Sequence, residues 1–75
     1  MIRDIEIRAE RPSLEEAQAI VGGLIEIVID DGEVQLIVNE EGLLLGLPFN
    51  ETASRITGRH IVGPALLLAG DARLD

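Results

Sequence analysis

Two runs of aliphatic residues meet at an aspartate–glycine turn near the middle of the chain. The runs cover residues 24–29 and 34–38, and Asp30, Asp31 and Gly32 lie between them. Aspartate–glycine is a residue pair that tight hairpin turns prefer, because both residues accept a positive φ. The pattern therefore predicts an antiparallel β-hairpin, around which the rest of the chain must be arranged.

A second turn follows the hairpin directly. Residues 39–42 read Asn-Glu-Glu-Gly, and asparagine and glycine both tolerate the left-handed conformation. The three leucines at 43–45 then predict a brief third strand, which Gly46 and Pro48 end. Together with the hairpin, this strand would complete a meander.

One strand and one helix are predicted ahead of the hairpin. Residues 2–9 alternate in part between isoleucine and charged side chains, which is typical of a half-buried strand. Ser13 and Glu16 have the spacing of a capping box, so a helix is expected over residues 14–21, ended by the glycine pair that follows. Its apolar side chains form one stripe that should pack on the sheet: Leu14, Ala17, Ile20 and Val21.

A second helix and a last strand are predicted after the meander. Asn50 is expected to cap a short helix that runs through Ile56 and ends at Gly58. A further apolar run over residues 61–69 predicts the last strand. Because Pro64 interrupts it and cannot donate a backbone hydrogen bond, we expect this strand to be bent or to lie at an edge.

The elements follow one another as β-α-β-β-β-α-β, and residues 71–75 are expected to be a polar tail. This order predicts an α+β fold, a small antiparallel sheet with one or two short helices on it. The 75 residues suffice for a single domain, residues 1–75, with a marginal core. The chain has no cysteine to form a disulfide, so we expect stability to come from homo-oligomerisation.

The charge balance excludes several classes of protein. There are 14 acidic and 6 basic residues, a net charge of −8, and every basic residue is arginine. Such a chain does not bind nucleic acid by neutralising phosphates, and with one phenylalanine and no tyrosine or tryptophan it lacks platforms for stacking bases. Its apolar runs are too short to cross a membrane, and its N-terminus does not resemble a signal peptide. We therefore expect a cytoplasmic globular protein.

Neither catalysis nor metal binding has a recognisable motif. His60 is the one histidine, and no strand–turn nucleophile motif accompanies it. Asp30, Asp31 and Glu33 crowd one turn, but their spacing is not that of a calcium loop, and a solvated hairpin tip explains them as well. The sequence therefore predicts a protein that is not an enzyme and that needs no cofactor or metal.

Two arginines mark a candidate anion site. Arg55 and Arg59 lie within five residues of each other, and the arginine fork suits phosphate or carboxylate, although pairing with acidic neighbours is the alternative. The predicted second helix would present free backbone N–H groups close by. The full set of candidate ligand-binding residues is Arg55, Arg59, Asn39, Asn50, Gly46, Leu47 and Pro48.

The acidic residues offer a second kind of function. They can serve as a solvated surface, or they can bind a basic protein, in the extreme as a mimic of DNA. A protein-binding surface of this type would be carried by Glu15, Glu16, Asp30, Asp31, Glu40 and Glu41.

Several short blocks resemble one family of small proteins. They are residues 21–26, 38–42, 46–50, Gly58 and residues 61–65. In this spacing they are similar to the domain of unknown function family 3846, which is found in phages and bacterial mobile elements.

The resemblance implies a genetic context for the chain. Small phage proteins often antagonise host defences, some by binding a signalling nucleotide and others by binding a defence protein. By this analogy we expect a non-enzymatic accessory protein that sequesters a small anionic nucleotide signal in the host cytoplasm, or alternatively an acidic module that binds a basic host protein.

Overall fold

The structure, a computed structural model, describes residues 4–74 as a four-stranded sheet with a helix on each face. The elements along the chain are β1 (Ile5–Arg8), α1 (Leu14–Val21), β2 (Ile25–Asp30), β3 (Val34–Asn39), α2 (Glu51–Thr57) and β4 (Ala65–Ala69), followed by a 3₁₀ turn (Gly70–Ala72). The strands are ordered β1-β4-β3-β2 across the sheet. The α+β class, both helices and the hairpin are confirmed; residues 2 and 3 of the predicted first strand lie outside the described residues.

The expectation of a purely antiparallel sheet is wrong. β2 pairs with β3 and β3 with β4 in antiparallel fashion, but β1 and β4 are parallel. The predicted edge position of the last strand is also wrong, because β4 lies between β1 and β3. Pro64 precedes the strand, and the first backbone donor required is that of Ala65, which donates to the Asp4 carbonyl at 2.9 Å.

Helix α1 begins and ends where its local signals indicate. The Ser13 hydroxyl accepts from the Glu16 backbone N–H, and the Glu16 carboxylate accepts from the Ser13 N–H, each at 3.0 Å. Gly22 ends the helix in the left-handed conformation with φ of 87°. Ala17 and Val21, one turn apart, are buried against the sheet. The prediction for Leu14 is wrong: it lies in the turn before Ala17 and is 55% exposed.

The sheet separates two small cores. Ile37 of β3 points toward α1, whereas Leu36 and Val38, its neighbours on the same strand, point toward α2. The core on the α1 side contains Ala17, Val21, Ile37, Leu66, Leu68 and Ala72. The core on the α2 side contains Leu36, Val38, Ala53, Ile61 and Ala65. Each described strand therefore contributes side chains to one of the two cores or to both.

The expectation of a polar tail is wrong for residues 71–74, which are part of the fold, while residue 75 lies outside the described residues. Ala72 is buried, and Leu74 packs against the core on the α1 side. The side chain of Gln35 donates to the Leu74 carbonyl at 2.8 Å and accepts from the Leu74 N–H at 2.6 Å. The sequence of this segment does not indicate the contact, because Gln35 lies 39 residues before Leu74.

Between Asp4 and Leu74, no helix is both long and apolar enough to cross a membrane.

Candidate functional site

A cleft of about 390 Å³ lies where β2 and β3 meet the segment that follows α2. Val38, Ile61 and Val62 supply aliphatic side chains to its lining, and residues 40–44 form one wall. Glu26, at the start of β2, and Arg59, just after α2, also line it. The site therefore depends on elements far apart in sequence.

Residues 40–46, which include this wall, form a helical turn, so the predicted third strand is wrong. Leu45 N–H donates to the Glu41 carbonyl at 3.0 Å, and Leu47 N–H donates to the Gly42 carbonyl at 3.0 Å. Because these backbone groups bond within the segment, they cannot join a sheet. A Cβ atom at Gly42 would lie 2.8 Å from Val62 Cγ2, so the turn packs closely on Val62.

The turn presents three consecutive leucines to solvent. Leu43 is 73% exposed and Leu44 is 85% exposed, and Leu45 is exposed as well. Leu43 and Leu44 line the cleft. A contiguous exposed apolar group of this kind is typical of interaction sites. The sequence did not indicate this exposure, because a run of three leucines is typical of a buried strand.

The charges around the cleft are mostly negative. Glu26, Glu40 and Glu41 face one arginine, Arg59. The Arg59 guanidinium lies 3.7 Å from the Glu26 carboxylate, and both side chains are substantially exposed. The arginine is therefore already paired, while Glu40 and Glu41 add two negative charges at the rim.

Two rings lie beside this cleft. His60 lines it, and its ring stacks on that of Phe49 with centroids 5.0 Å apart and an angle of 27° between the planes. Phe49 also forms an isolated antiparallel bridge with Val62. The stack holds the lone histidine against the lone phenylalanine, and both remain largely exposed.

The structure separates the two arginines proposed to bind one anion. Arg59 lines the cleft, whereas Arg55 lies on α2 and its guanidinium is 3.6 Å from Glu51. Gly46 is exposed, with φ of 68°, and a Cβ atom added there would have no atom within 4 Å. The Pro48 carbonyl accepts from the Gly63 N–H at 2.7 Å.

Leu47 packs on Gly63 and does not line the cleft. A Cβ atom added at Gly63 would lie 2.6 Å from Leu47 Cδ1. Of the seven residues proposed for ligand binding, Arg59 and Asn39 line the cleft, and the other five do not.

The two asparagines hold the backbone together. Asn39 donates through Nδ2 to the Val21 carbonyl at 3.1 Å and accepts through Oδ1 from the Glu41 N–H at 2.7 Å. It thereby ties the end of α1 to the turn that forms the cleft wall. Since both ends of this buried amide are engaged, Asn39 supports the cleft more than it serves an incoming ligand.

Asn50 is engaged even more completely. Its Oδ1 accepts from the Ala53 N–H at 3.0 Å, which confirms it as the N-cap of α2. Its Nδ2 donates to the carbonyls of Asp4 at 2.7 Å and Gly63 at 2.8 Å. Both amide protons are used, so Asn50 joins α2 to the residue just before β1 and to the segment before β4.

The acidic candidates lie in three places. Glu15 and Glu16 are on α1, Asp30 and Asp31 are at the hairpin, and Glu40 and Glu41 are at the cleft, at the opposite end of β3. Of these, only the last pair adjoins the exposed leucines.

Two of these carboxylates act on the local backbone. A backbone hydrogen bond from Ser13 holds the pKa of Glu16 below its ordinary value. Hydrogen bonds from the backbone N–H groups of Val34 and Glu33, both 2.9 Å long, lower the pKa of Asp31. Asp31 therefore stabilises the hairpin turn. Among residues 4–74, no three or more histidine, aspartate or glutamate side chains lie close enough together to hold a metal ion.

Comparison with known proteins identifies the family but no activity. No curated protein and no solved structure matches the chain significantly. A family model described as a domain of unknown function, DUF3846, matches residues 1–74. The chain therefore belongs to the DUF3846 family, as the blocks of turn residues in its sequence indicated.

Proposed function

We propose that this chain is a non-enzymatic interaction module that binds a basic, partly apolar segment of another protein in the cleft. The observation that carries the proposal is the combination at one site of exposed leucines with an excess of carboxylates. The context we propose is that of a small accessory protein of a phage or mobile element, with a basic host defence protein as its partner in the host cytoplasm.

Charge favours a basic partner. Glu26, Glu40 and Glu41 outnumber Arg59 at the cleft, and the whole chain has a net charge of −8. A field of this sign attracts cationic side chains and speeds their encounter. An arginine or lysine of the partner can pair with Glu40 or Glu41 without breaking the existing pair between Arg59 and Glu26.

The apolar surface supplies affinity that exposed ion pairs do not. Exposed salt bridges contribute only about 0–1 kcal/mol each. Covering Leu43 and Leu44 removes two large aliphatic side chains from water, at about 25 cal/mol per Å² of apolar surface. A segment that alternates basic and aliphatic residues satisfies both parts of the site.

The hydroxyl groups near His60 support a role without catalysis. Ser54 Oγ donates to the Ile61 carbonyl at 3.2 Å and accepts from the Ile61 N–H at 2.9 Å. Thr57 Oγ1 donates to the Ala53 carbonyl at 2.9 Å. Both hydroxyls therefore bond to backbone groups around α2. A catalytic nucleophile would instead have its hydroxyl hydrogen-bonded to a side-chain base.

A second candidate function, sequestration of a small anionic nucleotide, is favoured by one observation. Arg59 lies in the cleft beside the stacked rings of His60 and Phe49, which together offer a phosphate partner and a surface for a base. We place it second because a phosphate would meet three carboxylates at the same cleft.

A labelled peptide tests the first proposal. The probe is a fluorescein-tagged peptide of alternating arginine and leucine, and a peptide with glutamate in place of arginine is its control. We expect fluorescence anisotropy to show binding of the first peptide only, weakening severalfold as salt is raised. The double variant Glu40→Gln/Glu41→Gln should bind about tenfold more weakly, since two ion pairs of about 0.7 kcal/mol each are lost.

A matched variant separates the cleft from general charge. Glu10→Gln/Glu15→Gln removes the same charge from exposed positions away from the cleft. Equal weakening by the two double variants would show that binding is nonspecific and would refute the site.

The nucleotide candidate has its own readout. With no tryptophan or tyrosine, the protein absorbs very little between 260 and 280 nm. A 260 nm band that persists after incubation in a bacterial extract and desalting, and that is lost in Arg59→Ala, would favour the nucleotide over the peptide.

A further inference from the structure

The outer edge of β2 carries backbone groups that no other described strand engages. β2 stands last in the order β1-β4-β3-β2, so β3 is its one neighbour in the described sheet. The Glu40 N–H donates to the Leu24 carbonyl at 2.8 Å, and these two residues lie opposite each other in the register of the hairpin. Hydrogen-bonded and non-hydrogen-bonded pairs alternate along an antiparallel ladder. Glu26 is therefore the next residue bonded to β3, and the N–H and C=O groups of Ile25 and Ile27 point away from the sheet.

The two faces of this edge differ in chemistry. Ile25 packs against the core on the α1 side, and Ile27, which lies on the same face, is 42% exposed. Glu26, between them, faces the cleft and lies beside Arg59. An extended segment placed along this edge would meet aliphatic side chains on one face and a carboxylate on the other.

We propose, building on the function proposed above, that the partner's basic segment binds as a fifth strand of the sheet, antiparallel to β2. Its backbone bonds to the outward groups of Ile25 and Ile27, and its aliphatic side chains lie beside theirs. The residue between, an arginine or lysine, lies opposite Glu26. In recognition of this kind, main-chain hydrogen bonds supply affinity and alternate side chains supply specificity. The antiparallel direction continues the ladder of β2 and β3 and is the more stable one per residue.

Charge makes a basic segment a better occupant of this edge than a second copy of the chain. If β2 of another copy used both Ile25 and Ile27 in an antiparallel pair, Glu26 of one copy would lie directly opposite Glu26 of the other. Like charges in that position are destabilising, and each copy has a net charge of −8. A basic residue there meets an opposite charge, and Glu40 and Glu41 keep the cleft negative once it is bound.

The other edge strand, β1, has similar backbone groups but no such attraction. The Ala65 N–H donates to the Asp4 carbonyl at 2.9 Å, and alternate residues of β1 bond to β4, so the N–H of Ile7 points away from the sheet. The two charged residues of the strand, Glu6 and Arg8, pair with each other. β1 therefore serves as a control edge within the same molecule.

A β-bulge sets the length of the added strand. The register between β2 and β3 shifts between Ile27 and Ile29. A bulge bends its strand and interrupts regular pairing, so the usable part of the edge is confined to residues 24–27. The segment that binds is therefore short.

The test uses the fluorescein-tagged arginine–leucine peptide with N-methyl groups on alternate residues. In the proposed pairing, the leucines opposite Ile25 and Ile27 direct their N–H groups at β2, and the arginine opposite Glu26 directs its own at solvent. Methylation of the leucine nitrogens should weaken binding by at least about tenfold, because two or more hydrogen bonds are lost. Methylation of the arginine nitrogens should leave binding nearly unchanged. The two peptides have the same side chains and charge, so the comparison isolates the backbone.

A pair of variants compares the two edges of the sheet. Proline is tolerated in an edge strand where the N–H would face solvent. Ile27→Pro removes one of the outward N–H groups of β2 and should weaken binding of the unmethylated peptide severalfold. Ile7→Pro makes the same change in β1 and should leave binding unchanged. Far-ultraviolet circular dichroism checks that both variants retain the fold.

Amide hydrogen exchange requires no variant. In the free protein the amide protons of Ile25 and Ile27 should exchange faster than that of Glu26, and saturating peptide should slow them while that of Ile7 stays unchanged. Equal weakening by the two methylated peptides, or unchanged exchange at Ile25 and Ile27, would overturn strand addition and leave the proposed function standing. Failure of the unmethylated peptide to bind would overturn both.

Discussion

The Asn50 side chain should contribute more to stability than any other single polar group in the described chain. It is 2% exposed, caps α2 through Oδ1 and donates both Nδ2 protons to carbonyls of Asp4 and Gly63. In Asn50→Ala the cap is lost, at about 1 kcal/mol. Two further hydrogen bonds to backbone carbonyls are lost, at about 1 kcal/mol each. We therefore expect the free energy of unfolding to fall by about 3 kcal/mol.

That loss is large for a chain of this size. A 75-residue protein is stable by about 4–11 kcal/mol, so a loss of about 3 kcal/mol removes between about a quarter and about three quarters of that stability. The melting temperature should fall by about 15 °C. Urea denaturation followed by far-ultraviolet circular dichroism measures the change, and an unaltered dependence on urea would show that the unfolded state is unaffected.

Two further variants separate the cap from the amide donors. Ser13→Ala removes the N-cap of α1, which is exposed, and should cost about 1 kcal/mol. Asn50→Asp retains an acceptor for Ala53 N–H but turns a second carboxylate oxygen toward two carbonyls, so it should destabilise at least as much as alanine. If Asn50→Ala costs no more than Ser13→Ala, Asn50 is only a cap and the reasoning fails.

Two more predictions concern turns. Gly63→Ala should lower the free energy of unfolding by about 2–3 kcal/mol, because φ is +81° and the new methyl group would meet Leu47. Gly46→Ala, where φ is +68° but the space around a Cβ atom is open, should lower it by only about 1 kcal/mol. Equal losses for the two variants in urea denaturation would contradict the packing argument. The lowered pKa of Asp31 means that its contribution to stability is present above the ordinary pKa of 3.8 and is lost as the pH falls through the lower folded-state value. Melting temperatures recorded from pH 6 to pH 2 should therefore fall less steeply for Asp31→Asn than for the natural chain, and parallel curves would exclude the role assigned to Asp31.

Local signals in the sequence predicted the local structure well. The capping box at Ser13, the glycines that end both helices and the turn at Asp31 each act within a few residues, and each lies where it was expected. The leucines at 43–45 show the limit of such signals. An apolar triplet predicts burial in a strand, but only distant partners decide whether a strand edge is available, and here the backbone turns on itself.

The long-range arrangement was not predictable in the same way. The place of β4 in the middle of the sheet depends on its parallel pairing with β1, across some sixty residues. The residues that line the cleft show the same limit. Arg59 and Asn39 do line one cleft, but Glu26, Leu43 and His60 join them only through the packing of β2, the helical turn and the segment after α2.

The parallel pair of β1 and β4 also affects how the chain acquires its fold during synthesis. β1 is an edge strand, and its one neighbour in the sheet is the last strand to be made. Ribosomes add about 5–20 residues per second, so β1 waits about 3–12 s for its partner after it has been synthesised. During that interval the hairpin of β2 and β3 can form alone, while Ile5 and Ile7 remain available to chaperones or to the same strand of a neighbouring nascent chain.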